Sequence, residues 1–375
     1  MFSYDSFADM QRMYNMLYDD LSRSIFQIRL LFDIDPSLDT YFDLAALSGI
    51  CTRQEIEAEY KWIQELVHSQ TPIYLYGAAV QGKLWYQMLG KCNVNIKGFI
   101  DKKHDELKTF CDLPVYGPQF ALSDEVIHQN SVILVTSIAF QKEIYDSLIT
   151  DGVPASSIIQ SVKNLIDLSD QEYFDFFSFA PLGGAFVDGG SVGCDATLRF
   201  MQLSQGNYSE IYIFEPDKKN AQQCREVATG SNLRDTFVVE AALGDKCMPV
   251  KFSEKNSSSS CIDSSGNSEI DMVTLDAVLK DKTVSFIKMD IEGSELSAIQ
   301  GGRKIIQRDR PMCAICVYHR YGDMLTIMSQ LREFVPEYQF ALRHYTNTQL
   351  ETVLYAFIAS DEKKLPLSAY DIPKK

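Results

Sequence analysis

The chain has little positive charge and no long apolar run. Of its 375 residues, 35 are Lys or Arg and 51 are Asp or Glu, which gives a formal net charge of −16. Nucleic acids and anionic membranes are recognised by clustered basic side chains, so this balance argues against both partners. No apolar run approaches the ~18 residues of a transmembrane helix, and we expect no membrane span. The N-terminus is acidic and lacks the continuous apolar stretch of a signal peptide.

Regular cysteine spacing is also missing. The nine cysteines are odd in number and irregularly placed, which predicts reduced thiols and a cytoplasmic location. Cys313 and Cys316 form the one C-x-x-C pair. They lie in a predicted strand, where residues three apart face opposite sides, so we do not expect metal or redox chemistry there.

The order of predicted elements divides the chain into three parts. Apolar residues recur at helical spacing in the first part, and strands alternate with helices in the other two. A length of 375 residues suits about two domains at ~150 residues each. We therefore predict an α/β protein with two Rossmann-like domains after a helical segment. The predicted ranges are 1–70 for the helical segment, 71–164 for the first domain and 165–375 for the second.

The first domain has an incomplete dinucleotide-binding turn. In the turn 77–82 the outer glycines of G-x-G-x-x-G are present, but Ala79 replaces the middle one, which weakens a dinucleotide prediction. The stretch GFID at 98–101 and PVYG at 114–117 resemble the N-terminal nucleotide-sugar-binding domain of sugar acyltransferases. A Rossmann-like scaffold without a ligand is the alternative.

The second domain contains seven predicted strands. The last two are close in the chain, so we expect them to be antiparallel. The aromatic-rich segment 165–183 is predicted as a helix that packs on this domain, and 254–268, rich in Ser and Asn, as an exposed loop or substrate lid. The strands are predicted at 185–188, 211–214, 237–239, 286–289, 313–318, 338–342 and 352–358.

Acids and glycines follow three of these strands. Asp188 is followed by a glycine turn that opens a helix, and such a turn lets backbone N–H groups approach an anionic ligand. Glu215 ends the next strand, where a carboxylate would accept ribose hydroxyls. After the buried strand 285–289, carboxylates crowd beside Lys288. They are Asp290, Glu292 and Glu295. Ligands of open α/β sheets bind at the carboxyl ends of strands, so these acids predict a site.

Several segments resemble the FkbM family of methyltransferases. They are VDGGSVG, IFEPD, AALGD, FIKMDIEGSELSAIQGG, ICVYHRYGDM and YQFALRHYTNTQLETVLYAF, and they occur in the family's order over residues 173–358. The resemblance implies a class I methyltransferase fold with a seven-stranded sheet and S-adenosylmethionine as methyl donor. It also implies O-methylation, often of sugars or of natural-product hydroxyls.

The resemblance also implies roles for individual residues. Asp188, Gly190 and Gly193 would hold the methionine end of the donor, and Glu215 its ribose. Two further cofactor-binding residues are predicted, Ser191 in the same turn and Ala242 in AALGD. Asp290 and Glu292 would lie at the reaction centre. Gly193 follows Asp188 by five residues, whereas six is commoner in the family, so the turn is expected to be one residue shorter.

A sugar hydroxyl is a poor nucleophile and needs a base or a metal. His319 follows a strand at the ligand-binding edge and is our first candidate base, with His344 second. Alternatively, Asp290, Glu292 and Glu295 would hold Mg²⁺, which prefers oxygen ligands.

The sequence thus predicts an S-adenosylmethionine-dependent O-methyltransferase that acts on a hydroxyl of a sugar, glycan precursor or natural product. Two alternatives stay open: a non-catalytic nucleotide-sugar-binding or assembly protein, and a NAD-dependent oxidoreductase that uses the first domain. The expected partner is a small-molecule or glycan acceptor, and a homo-oligomer is possible.

Overall fold

The computed structural model describes residues 4–127, 130–168, 171–231, 233–253, 261–262, 266 and 268–359. The chain forms two compact units. Unit 1 comprises residues 1–27, 168–345 and 349–375, and unit 2 comprises 28–167 and 346–348. Residues 1–27, which the sequence groups with the helical segment, lie in unit 1, and the predicted domain limits stay predictions. None of the described helices has both the length and the apolar character that a bilayer crossing requires.

Helices and strands alternate along most of the chain. The helices are α1 (Tyr4–Asn15), α2 (Asp20–Ile34), α3 (Leu38–Ala46), α4 (Arg53–Glu59), α5 (Lys61–Ser69), α6 (Val80–Lys91), α7 (Asp124–Ile127), α8 (Gln141–Thr150), α9 (Asp195–Ser204), α10 (Lys218–Gly230), α11 (Leu275–Val278), α12 (Glu295–Gly301), α13 (Arg303–Asp309) and α14 (Asp323–Phe334). The strands are β1 (Ile73–Tyr76), β2 (Ile96–Ile100), β3 (Thr109–Phe110), β4 (Leu113–Tyr116), β5 (Val132–Val135), β6 (Ile158–Gln160), β7 (Ala185–Gly189), β8 (Ile211–Phe214), β9 (Thr236–Val239), β10 (Ala242–Leu243), β11 (Met248–Ser253), β12 (Cys261–Ile262), β13 (Ser268–Val273), β14 (Val284–Met289), β15 (Met312–Cys316), β16 (Gln339–His344) and β17 (Thr352–Phe357). The predicted α/β class and the N-terminal helices are confirmed.

Unit 2 is built on one six-stranded sheet. Its order is β3-β4-β2-β1-β5-β6, and β1 pairs in parallel with both β2 and β5. The four residues of β1 are all buried, as expected for a strand covered on both faces. Strand order reverses between β1 and β5, so the turns after these two strands meet at the switch point of the sheet.

Unit 1 is built on a seven-stranded sheet in the order β16-β17-β15-β14-β7-β8-β9. If its strands are numbered by their position in the chain, this order reads 6-7-5-4-1-2-3. The last strand, β17, is antiparallel to both neighbours, which confirms the predicted antiparallel pair. Strand order reverses between β7 and β14, and ligands of such sheets bind beyond the carboxyl ends of the strands at this point.

A second, four-stranded sheet in unit 1 was not predicted. Its order is β10-β13-β11-β12. Three of the six residues of β11 are exposed and only one is buried, so the strand lacks the apolar run that would have indicated it. Of the predicted lid, residues 254–260, 263–265 and 267 lie outside the described residues.

The aromatic segment packs as expected but is not the α-helix that the sequence predicts. Phe174 and Phe176 are buried in the core of unit 1, and the regular structure in the segment is a 3-10 helix at Phe177–Phe179. Tyr173 has a φ of +67°. This left-handed conformation is incompatible with a continuous right-handed helix.

Candidate active site

The turn that follows β7 is built around glycine. Gly190 has a φ of +74°, and a Cβ added there would overlap the carbonyl oxygen of Asp290. Gly193 also has a φ of +74°, and Cys194, at +64°, precedes α9. Such positive φ angles suit glycine. The backbone of the turn therefore lies directly against the residue that follows β14.

Glu215 follows β8 and faces this turn. Its Oε2 accepts a hydrogen bond from Ser191 N at 3.1 Å, and its Oε1 accepts one from Asp217 N at 2.8 Å. Burial raises the pKa of Glu215 to about 7, although the two backbone N–H groups oppose that shift. Glu215 therefore has a pKa near neutral pH, and it lies at the position where the sequence predicts ribose binding.

Asp188 lies below the turn and pairs with a buried lysine. Lys288 Nζ lies 3.1 Å from Asp188 Oδ1, and both side chains are almost fully buried. Thr197 Oγ1 donates to Asp188 Oδ2 at 2.7 Å. Lys288 also donates to the carbonyl oxygen of Gly190. Asp188 is therefore connected to the turn through Lys288, and it does not line the cavity described below.

Asp290 follows β14 and receives hydrogen bonds from two tyrosines. Tyr173 donates to its Oδ2 at 3.0 Å, and the Tyr318 hydroxyl lies 3.3 Å from its Oδ1. Burial acts to raise the pKa of Asp290, but the positive charges of His319 and Lys288 prevail and lower it. Asp290 is therefore a stable carboxylate.

His319 lies among the three predicted carboxylates. Its Nδ1 is 3.0 Å from Glu295 Oε1, and its Nε2 is 3.4 Å from Asp290 Oδ1 and 3.8 Å from Glu292 Oε2. Burial lowers the pKa of His319, but these carboxylates more than compensate and raise it to about 9. The imidazole is thus mainly protonated at neutral pH, a state in which it accepts no proton. The second candidate, His344, is buried in β16 beside Thr352.

The same carboxylates were predicted as alternative Mg²⁺ ligands. Ligand atoms of Asp290, Glu295 and His319 lie within 4.8 Å of one another. However, Glu295 Oε1 accepts from Ile291 N at 2.9 Å and faces the imidazole, and Asp290 accepts from Tyr173. A protonated histidine offers no lone pair to a metal. The donor set is thus engaged in internal hydrogen bonding and ion pairs in this structure, and Mg²⁺ binding by Asp290, Glu292 and Glu295 stays a prediction.

A cavity of about 650 Å³ opens at the switch point of the unit 1 sheet. It brings together most of the predicted cofactor-binding residues and two of the predicted catalytic acids, while Gly193, Glu295 and His319 do not line it. The predicted residues on its wall are Gly190, Ser191, Glu215, Ala242, Asp290 and Glu292.

Other residues on the cavity wall were not predicted as site residues, and four of them come from segments that the sequence analysis assigned to packing, to a loop or to no element. Phe252 and Ile262 come from the four-stranded sheet, and Glu172 and Tyr173 from the aromatic segment. An acid before a dense aromatic run was the one signal for Glu172, since a buried carboxylate needs a reason.

Behind Glu172 lies a second carboxyl group, that of Glu351. Oxygen atoms of the two side chains and the Sγ of buried Cys316 lie within 4.8 Å of one another. The Tyr318 hydroxyl lies 3.1 Å from Glu351 Oε1. Burial raises the pKa of Glu172 to about 7 and that of Glu351 well above its usual range. Glu351 belongs to the segment ETVLYA of the family resemblance.

A seven-stranded sheet with β17 antiparallel, a glycine turn after its first strand and an acid after its second define a class I methyltransferase fold. Residues 186–342 match the family model described as the methyltransferase FkbM domain. The protein is an S-adenosylmethionine-dependent methyltransferase with an FkbM domain.

Solved structures include similar chains. The methyltransferase FkbM from Methylobacillus flagellatus is 17% identical with a TM-score of 0.47, over 81% of this chain and 98% of that one. A protein from Streptococcus mutans in complex with SAH is 11% identical with a TM-score of 0.31, over 48% and 92% of the two chains. A SAM-dependent methyltransferase from Aquifex aeolicus is 16% identical with a TM-score of 0.29, over 52% of this chain and 94% of that one. No curated protein sequence matches significantly.

Proposed function

We propose that this methyltransferase transfers the methyl group to a hydroxyl of a sugar, a glycan precursor or a natural product. The observation that supports this proposal is the composition of the cavity wall. Its lining contains two sets of groups: the glycine turn at Gly190 and Ser191 with Glu215, and the carboxylates of Glu172 and Asp290.

The first set suits S-adenosylmethionine, whose sulfonium supplies an electrophilic methyl group. Backbone N–H groups of the turn at Gly190 and Ser191 would approach its methionine carboxylate. Glu215 would accept hydrogen bonds from its ribose hydroxyls, and Ala242 would contact it from β10.

The second set suits a neutral, hydroxyl-rich acceptor. Carboxylates accept hydrogen bonds strongly, so Asp290 and Glu292 would bind and orient hydroxyl groups. The same charges, on a chain of net charge −16, would repel an anionic acceptor. Because methyl transfer from a sulfonium is an in-line displacement, orientation inside the cavity would supply much of the rate.

His319 would act beside this second set as a fixed positive charge. It lies between Asp290 and Glu295 and would hold Asp290 in place as an acceptor-binding carboxylate. The non-catalytic alternative is set aside because the second domain is a methyltransferase domain. Nucleotide-sugar binding by unit 2 and the oxidoreductase alternative stay predictions.

Two measurements on the full chain test the proposal. Calorimetric titration with S-adenosylhomocysteine should show binding to the wild type and weaker binding to Glu215→Ala. Methyl-labelled S-adenosylmethionine should then label members of a panel of free sugars and polyhydroxylated natural products, and should label anionic nucleotide sugars less. Labelling of amines or thiols only, with every hydroxyl acceptor inert, would contradict the acceptor class and leave the donor assignment standing.

A further inference from the structure

Glu172 lines this cavity and has one carboxyl oxygen that accepts no hydrogen bond from the described residues, and Glu351 lies beside it. We propose that Glu172, paired with Glu351, is the general base that accepts the proton of the acceptor hydroxyl. This inference rests on the proposed O-methylation, because an alcohol must lose its proton as it becomes an ether.

The position of Glu172 fits that role. It lines the cavity together with its neighbour Tyr173, whose hydroxyl donates to Asp290 at 3.0 Å. Glu172 is therefore close to the residues at the end of β14 where the acceptor is expected. The Oε1 atom of Glu172 is buried and accepts no hydrogen bond from the residues that the structure describes, while the carboxyl group shares a hydrogen bond with Glu351. An oxygen in that state can accept a proton.

The other candidates at this edge are less suited to take a proton. Asp290 is hydrogen-bonded by tyrosine and faces His319, and its pKa is lowered, which makes it a weak base. His319 already carries a proton at neutral pH, since its pKa is raised to about 9. Burial raises the pKa of Glu172 to about 7. A base is most effective when its pKa lies near the working pH.

The surroundings of Glu172 explain why one carboxyl of the pair stays protonated. Burial raises the pKa of Glu351 well above its usual range, and the charge of Glu172 is the next cause. Two buried carboxyl groups in contact do not both ionise. The hydrogen bond from Glu351 then lowers the pKa of Glu172. The other titratable groups that face Glu172 are Asp290, which raises its pKa, Lys288 and Tyr173, which lower it, and the neutral Tyr318 and Cys316.

The backbone at both carboxyl groups is unusual. Tyr173, which follows Glu172, has a φ of +67°, and Glu351 has a φ of +58°. Non-glycine residues in this region are uncommon and cost free energy, and they recur at functional sites. These conformations support the inference, which is carried by the position of Glu172 on the cavity wall and by its Oε1 atom, which accepts no hydrogen bond from the described residues.

The proton balance of the step is simple. The acceptor O–H bond breaks and its proton goes to the Glu172 carboxylate. The acceptor oxygen forms a bond to the methyl carbon, and the electron pair of the broken C–S bond stays on sulfur. The products are a methyl ether, neutral S-adenosylhomocysteine and protonated Glu172, which returns its proton to water before the next turnover.

Glu172→Gln tests the proposal against Glu337→Gln, a control at an exposed glutamate that pairs with Arg310. The assay uses an acceptor that the wild type methylates. We expect Glu172→Gln to bind S-adenosylhomocysteine as the wild type does, yet to lose about 100-fold or more in kcat. At saturating donor, the wild-type kcat should rise with pH through about 7, and this rise should vanish in Glu172→Gln. Retention of kcat or of the pH-dependent rise would overturn the proposal.

Two further variants separate a base from a structural role. Glu351→Leu removes the hydrogen bond that lowers the pKa of Glu172, so the rise in kcat should move to higher pH. Glu351→Gln keeps a hydrogen-bond donor, so the rise should move less. His319→Gln should leave the midpoint of the rise near 7. Loss of the rise in His319→Gln with its retention in Glu172→Gln would assign the base to His319 instead.

A measurement without acceptor separates this proposal from the proposed function. In a Glu215→Gln background, which removes the other cavity carboxyl whose pKa is raised to about 7, infrared difference spectra between acid and neutral pH should contain a carboxyl band that titrates near pH 7. That band should be missing when Glu172→Gln is added. Absence of that band would overturn the assignment of Glu172 whatever the acceptor is. Failure of the wild type to methylate any hydroxyl, with this band present, would contradict the proposed function.

Discussion

The two units place an acid in the same way. In unit 1, Glu215 follows the second strand of the sheet and accepts a hydrogen bond from Ser191 N at 3.1 Å. In unit 2, Asp101 follows β2 and accepts one from Ala78 N at 2.8 Å. In each unit the N–H belongs to the turn after the first strand. Two segments of unrelated sequence thus reach the same local arrangement at the switch point of a parallel sheet.

The units differ in what the neighbouring strand contributes at that point. In unit 1, β14 ends in Lys288 and Met289 and is followed by Asp290, so a buried charge pair and a carboxylate meet the glycine turn. In unit 2, β5 is followed by Thr136, which donates to Tyr76 O at 2.9 Å. A Cβ added to Gly77 would come within 2.9 Å of Thr136 Oγ1.

This difference distinguishes features that the two folds share from residues that are specific to the methyltransferase site. A glycine turn and an acid are common to both units, but the charged residues after the fourth strand are specific to the methyltransferase sheet. Function on a shared fold depends on such groups. The ligand of unit 2 therefore cannot be inferred from its glycine turn alone.

Lys288→Met should have the largest effect on stability. It would leave Asp188, which is fully buried, without its charge partner, and a broken buried ion pair costs about 3–5 kcal/mol. Chemical denaturation followed by circular dichroism measures the loss. Lys246→Met, at an exposed lysine, is the control. The double variant Lys288→Met/Asp188→Asn should lose less than Lys288→Met alone, and an equal or greater loss in the double variant would contradict the ion-pair explanation.

Glu215→Ala and Asp101→Ala test the contrast between the units directly. Loss of a charged hydrogen-bond acceptor for the ribose should weaken S-adenosylhomocysteine binding by about 1–3 kcal/mol, which is roughly a tenfold to hundredfold change in Kd. Asp101→Ala should leave that affinity unchanged, because Asp101 belongs to unit 2. Calorimetry measures both. Equal affinity of Glu215→Ala and the wild type would remove Glu215 from the donor site.

The affinity for S-adenosylhomocysteine should fall as the pH falls below 7. Burial raises the pKa of Glu215 to about 7, so the carboxylate that accepts ribose hydroxyls is present above that pH and is protonated below it. If the neutral form binds poorly, Kd should rise by about tenfold for each pH unit below the pKa. Calorimetry between pH 5.5 and roughly 8.5 would follow this change. Glu215→Gln should bind weakly and without this dependence, and a wild-type Kd that is constant with pH would contradict the assignment.

The sequence predicted the parts of the fold that depend on local patterns. Buried parallel strands are continuous apolar runs, and the glycine turn follows from backbone geometry, so β7, β8 and β14 were found within a few residues. The pair of Glu172 and Glu351 depends on tertiary contact between distant segments, and no local pattern encodes it. The predicted helix over the aromatic segment was wrong because Tyr173 adopts a left-handed conformation. A lysine in the fully buried β14 requires a buried partner, and that partner is Asp188, with which the sequence analysis did not pair it.

The smallest expected effect is that of chelation. The sequence offered Mg²⁺ as an alternative to a base, but Asp290 and Glu295 face a protonated imidazole and accept internal hydrogen bonds. A divalent cation there would have to displace the His319 proton, which a pKa of about 9 disfavours at neutral pH. We therefore expect EDTA, and then added Mg²⁺, to leave the methyl-transfer rate unchanged. A rate that collapses with EDTA and returns with Mg²⁺ would mean that His319 moves away from the carboxylates when the substrates bind, and the base would then be sought at the metal rather than at Glu172.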